Sequence, residues 1–145
     1  MSMNPGPDAL IIWLRIAAVA QLAIAVLNVA LPRLMRWTED LARIPLLIRE
    51  VFYVHAWFIS VTLAIFGVMT LRFAGEIAAV TNPVCQWLAG AIGLFWGIRT
   101  VLQVAYYSGS HWRGRPLRTA LHIALLATYG GLTLVYSLAA LRDGP

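Results

Sequence analysis

Arg99 stands in the middle of an apolar run, with Trp96 three residues before it, Gln103 four after and Tyr106 seven after. At helical spacing these side chains share one face. An arginine deep in a hydrocarbon-length segment costs about 2.5 kcal/mol or more to insert. It is therefore expected to face a bundle interior or a water-filled cavity. Its chemistry would be anion or head-group binding, with Gln103 and Tyr106 adding hydrogen-bonding groups. The competing reading is an arginine that snorkels to the interface and only holds helices together.

Histidine supplies the second set of candidates. His55 and His122 each fall about one turn inside an apolar segment, and the spans below put them at matching depth. Two such histidines across a bundle core would suit a bis-histidine haem b, with arginines near its propionates. Simple hydrogen bonding inside the bundle is the plainer role. His111 lies in the loop His111-Trp112-Arg113-Gly114-Arg115-Pro116. A non-haem metal is not expected. Glu50 and His55 are five apart and so on different helix faces, and neither Glu-x-x-His nor His-x-x-x-His occurs. Arg49, Arg113 and Arg115 are candidates for phosphate or anionic head groups, although positive-inside topology alone would also place them. No Gly-x-Ser-x-Gly, P-loop or paired acidic motif appears, and Ser108-Gly109-Ser110 reads as a turn.

These residues need elements to hold them. The chain has 145 residues, 61% hydrophobic and only 12% charged, against roughly 25% charged in ordinary soluble domains. Mean hydropathy is +0.77. A fold this small cannot hide so much apolar surface from water, which excludes a soluble globular domain. Disorder needs the opposite composition. All eleven basic residues are Arg, and the formal charge is +5. The basic loops are short, so a nucleic-acid partner is not expected. One cysteine, Cys85, forbids an intramolecular disulfide and thiol-relay chemistry. The start lacks the basic region of a signal peptide.

About 20 apolar residues cross a bilayer, and four stretches qualify: 8–31, 51–73, 83–107 and 116–141. Pro7, Pro83 and Pro116 suit first helical turns, Pro32 suits a stop, Asn82 an N-cap, and Gly75 and Gly109 C-terminal caps. The expected fold is a single all-α membrane domain over 1–145, an up-down bundle of four transmembrane helices with short connections. Between the first two spans, Leu34, Trp37, Leu41, Ile44 and Ile48 recur at helical spacing. Arg36–Asp40 and Glu39–Arg43 form i,i+4 pairs. A short amphipathic interfacial helix over 33–44 is predicted.

One side of this topology holds Arg33, Arg36, Arg43, Arg49, Arg113, Arg115 and Arg118; the other holds Arg72 and Arg142, with Arg15 nearby. The positive-inside rule places the first side in the cytoplasm and both termini outside. Trp13, Trp87 and Tyr136 on one side, and Trp37, Phe52, Tyr53, Tyr107 and Trp112 on the other, fit interfacial belts. Polar residues seven apart (Gln21 and Asn28; His55 and Thr62; His122, Tyr129 and Tyr136) would join Arg99 and Gln103 in one hydrogen-bonded interior. Ala89, Gly93 and Gly97 form a small-residue face expected roughly opposite Arg99; Ala120, Ala124, Ala127 and Gly131 form another. Either would pack helices or serve a homo-oligomer or larger membrane complex.

Three function classes follow. The leading one is a non-catalytic subunit or accessory protein whose buried site, drawn from Arg99, Gln103, Tyr106, His55, His122 and Glu50, binds a lipid or small-molecule head group. The alternatives are a haem or quinone electron-transfer protein using His55 and His122, and a small enzyme acting on a lipid or isoprenoid. Transport is disfavoured because no repeat or broken span is visible.

Overall fold

The computed structural model describes residues 6–106 and 116–142, the side chains of 116–118 excepted. Every element among them is helical: α1 (Pro7–Leu34), α2 (Trp37–Leu41), α3 (Leu46–Ala79), α4 (Pro83–Ala105) and α5 (Pro116–Ala140). The four long helices are long and apolar enough to cross a membrane. The chain is thus an all-α, multi-pass membrane protein with a short helix between its first two spans. Large apolar side chains stay exposed along each long helix, among them Val26, Phe58, Leu94 and Leu134. Hydrocarbon is the solvent that suits them.

The proline and asparagine signals act where chemistry requires. Pro7, Pro83 and Pro116 open α1, α4 and α5, where a missing N–H costs nothing. The Asn82 side chain accepts from the Val84 N–H at 2.9 Å, capping α4.

Two expected stops fail. Pro32 lies inside α1, which continues to Leu34. Gly75 lies inside α3, which runs 34 residues to Ala79, about 51 Å of helix against a hydrocarbon core of about 30 Å. Ala74, Ile77 and Ala78 beyond the expected end are buried, and that packing outweighs the modest cost of a helical glycine. The turn comes instead at Val80, whose φ of 56° is left-handed, a strained state for a β-branched residue.

The interfacial helix is shorter than the predicted 33–44, covering Trp37–Leu41. Arg36 precedes it with a left-handed φ of 57° and pairs with Glu39 at 3.6 Å instead of Asp40, since five helical residues leave no room for two i,i+4 pairs. Leu41 is buried, and Trp37 meets Phe52 edge-on at 6.3 Å.

The chain's contacts fall into two compact units: Met1–Leu14 with Phe73–Pro145, and Arg15–Arg72. In the second, α1 and α3 approach at Gly67, where a Cβ would come within 2.8 Å of Leu22 and 3.1 Å of the Ala18 carbonyl oxygen. Only glycine permits that approach. In the first, α4 and α5 pack antiparallel. Gly90 faces Ala140, Gly93 faces Tyr136 and Ser137, and Gly97 faces Thr133. The Gly93/Gly97 face, expected opposite Arg99 and open to an oligomer, is therefore taken up by this chain's own α5. Ala124 and Gly131 are exposed. Tyr136 is fully buried, so it packs the hairpin and does not belong to a belt.

Candidate functional site

The α4–α5 hairpin carries a polar line along its seam. Trp96 stacks on Tyr129 with ring centroids 5.2 Å apart. The Arg99 guanidinium lies over the Tyr129 ring, 4.8 Å from its centroid. Thr100 and Thr133 bring their hydroxyls to 3.3 Å. Nearest the 107–115 connection, the Gln103 side-chain nitrogen lies 2.9 Å from Nδ1 of His122.

Local spacing explains the line. On α4, residues 93, 96, 97, 100 and 103 fall on one face, with Arg99 at its margin. The long arginine side chain reaches Tyr129 from there. On α5, His122, Tyr129 and Tyr136 repeat every seven residues and meet Gln103, Arg99 and Gly93 respectively. Arginine on an aromatic face supplies attraction worth about 0.5–2 kcal/mol, more when desolvated.

Gln103 is the informative member. It is only 3% exposed, its amide nitrogen donates toward His122, and its Oε1 is buried without a hydrogen-bond partner. Leaving such an acceptor unmade costs about 1–3 kcal/mol. His122, its partner, and Arg99, one turn earlier on α4, are half-buried. The corner thus combines a guanidinium, an imidazole and an unused amide oxygen. It can accept a hydroxyl proton and donate to that hydroxyl's oxygen or to an anionic neighbour.

The other sequence candidates stand elsewhere. His55 is exposed on α3, with Nδ1 3.0 Å from the carbonyl of Val51 in its own helix. Thr62 likewise bonds the Phe58 carbonyl one turn back. Neither contributes those groups to a shared interior network. Glu50 is exposed and Arg49 half-buried at the start of α3. Tyr106 ends α4 at 81% exposure. His111, Arg113 and Arg115 lie outside the described residues, as do Tyr107, Gly109 and Trp112. Among the described residues no group of three or more His, Cys, Asp or Glu side chains is placed to hold a metal.

Sequence reasoning missed a second polar corner. The Gln86 side chain donates to the Ile77 carbonyl at 2.9 Å, tying α4 to the end of α3. Glu76 Oε2 and Gln86 Oε1 are both buried without a partner. The available signal was an acid within helix-forming residues, Ala74-Gly75-Glu76-Ile77-Ala78-Ala79. Ending the span at Phe73 put Glu76 in a loop and hid it.

No protein family, curated protein or solved structure matches the chain.

Proposed function

We propose that this small multi-pass membrane protein is a non-catalytic subunit or accessory protein that holds the polar head of a lipid or small molecule at Arg99, Gln103 and His122. The observation that carries this reading is the buried, unpaired Oε1 of Gln103 on the amide that bonds His122, one helical turn along α4 from Arg99. A polar seam that only packed two helices would be expected to close its own hydrogen bonds. The chemistry favours a hydroxyl-bearing head group. Its O–H donates to Gln103 Oε1, and its oxygen or a neighbouring phosphate accepts from Arg99.

Delipidation tests the reading. A ligand that binds the folded state raises its stability. Stripping endogenous amphiphiles with excess detergent should lower the melting temperature of the wild type and leave that of Gln103→Leu unchanged. An equal loss in both proteins would contradict a site at Gln103.

A further inference from the structure

We infer that one face of the last turns of α1 is a docking groove for a single anionic phospholipid, with Arg33 on its phosphate and an acyl chain along Val26, Val29 and Ala30. A cleft of about 500 Å³ is lined by these four residues and Leu34. Their spacing is i, i+3, i+4, i+7 and i+8, which makes one stripe of a helix. Val26, Val29 and Leu34 are exposed apolar side chains, and Arg33 is exposed among them. The groove thus joins an apolar floor to one guanidinium.

The depth of the groove suits a lipid. Arg33 stands in the last turn of α1 and is the first charged residue after Arg15. Beyond it come Arg36, Glu39, Asp40 and Arg43. An apolar run that gives way to charges marks the membrane interface, where the phosphates lie. Val26 is seven residues earlier, about 10 Å along the axis, at the level of acyl methylenes. Among the described residues the ion pair of this connection is Arg36 with Glu39 at 3.6 Å, and it does not include Arg33. The planar guanidinium matches two phosphate oxygens. A zwitterionic lipid carries its own ammonium against that phosphate, so the preference runs to lipids with net negative charge. The carbonyl end of α1 disfavours an anion, which makes Arg33 the group on which the preference depends. A soluble anion would leave the apolar floor uncovered.

The groove belongs to the unit Arg15–Arg72 and Gln103 to the other, so the two proposals fail separately. The full chain is released gently from vesicles of equal phosphatidylmethanol and phosphatidylcholine, and native mass spectrometry reads the retained lipid. Phosphatidylmethanol is a monoanionic phosphodiester and has no hydroxyl to offer Gln103. Wild type and Gln103→Leu alike should prefer it roughly fivefold, the worth of one charge at the membrane surface. Arg33→Gln should bring the two lipids to parity, while Arg33→Lys should keep the preference. Arg43→Gln should keep it too, because Arg43 is exposed and does not line the cleft. Ala30→Phe, which fills the groove beneath an intact Arg33, should abolish it. Excess glycerol phosphate, a head without chains, should leave the retained lipid in place. No preference in the wild type, a preference unchanged in Arg33→Gln or in Ala30→Phe, or displacement by glycerol phosphate would overturn the docking site.

Discussion

Gln103 donates its side-chain amide to Nδ1 of His122 across 2.9 Å, joining α4 to α5, while the oxygen of the same amide is buried without a partner. The nitrogen closes a helix–helix contact. The oxygen remains for something the chain does not itself supply.

Arg99 should behave as a binding residue more than a structural one. One of its contacts is the Tyr129 ring at 4.8 Å, and removing a membrane-buried charge removes an insertion cost of a few kcal/mol. Arg99→Leu should therefore shift unfolding stability by less than about 1 kcal/mol. A double-mutant cycle with Tyr129→Leu should give a coupling of about 0.5–2 kcal/mol. Stability measured by SDS titration checks both. A destabilisation several times larger would make Arg99 a structural brace.

Two glycines of α3 should respond oppositely to alanine. At Gly67 the added Cβ meets Leu22 at 2.8 Å and the Ala18 carbonyl at 3.1 Å, an overpacking that costs about 1–3 kcal/mol. At Gly75 nothing lies within 4 Å, so alanine should stabilise the helix by about 0.5–1 kcal/mol. Thermal unfolding of the two variants side by side decides the signs.

Val80→Gly should also stabilise, by about 1–2 kcal/mol, because glycine adopts the left-handed φ of 56° without a Cβ clash. An unchanged or lower melting temperature would mean that lost packing of the valine side chain outweighs the relieved strain.

Much of the fold was legible because its signals are local. Four apolar runs, the Asn82-Pro83 start and the prolines at 7 and 116 all act through their own backbone. The failures came where tertiary packing overrides a local signal. Pro32 and Gly75 read as stops, yet buried neighbours such as Ile77 and Ala78 carry α3 past the glycine. At the site, the seven-residue spacing of His122, Tyr129 and Tyr136 placed them on one face, and α4 meets that face. Helix spacing did not reveal that Gly93 and Gln103 face the same partner, because a 100° step per residue spreads one contact face over a wide arc. His55 fits the same spacing logic, but its Nδ1 lies against its own helix. Periodicity alone does not distinguish these outcomes.

Topology follows from arginine asymmetry. Both termini are proposed to face outward, with the 32–50 and 108–116 segments cytoplasmic. In a Cys85→Ser background, cysteines at positions 2 and 114 should label from opposite sides of sealed vesicles, position 2 from outside. Labelling from the same side would refute the arrangement of spans, and exchanged sides would refute the orientation.

The haem alternative has a direct optical check. Purified protein should show no Soret band in either oxidation state. A Soret band that disappears in His122→Ala would replace the head-group reading with electron transfer.

The central claim is that Gln103, Arg99 and His122 hold a polar head, and native mass spectrometry of protein released gently from membranes tests it most directly. The wild type should carry one retained hydroxyl-bearing amphiphile per chain, and Gln103→Leu and Arg99→Leu should each lose at least nine-tenths of that adduct, a change of about 1.4 kcal/mol or more in binding, while remaining folded. A wild type that retains nothing specific, or an adduct undiminished in both variants, would contradict the account.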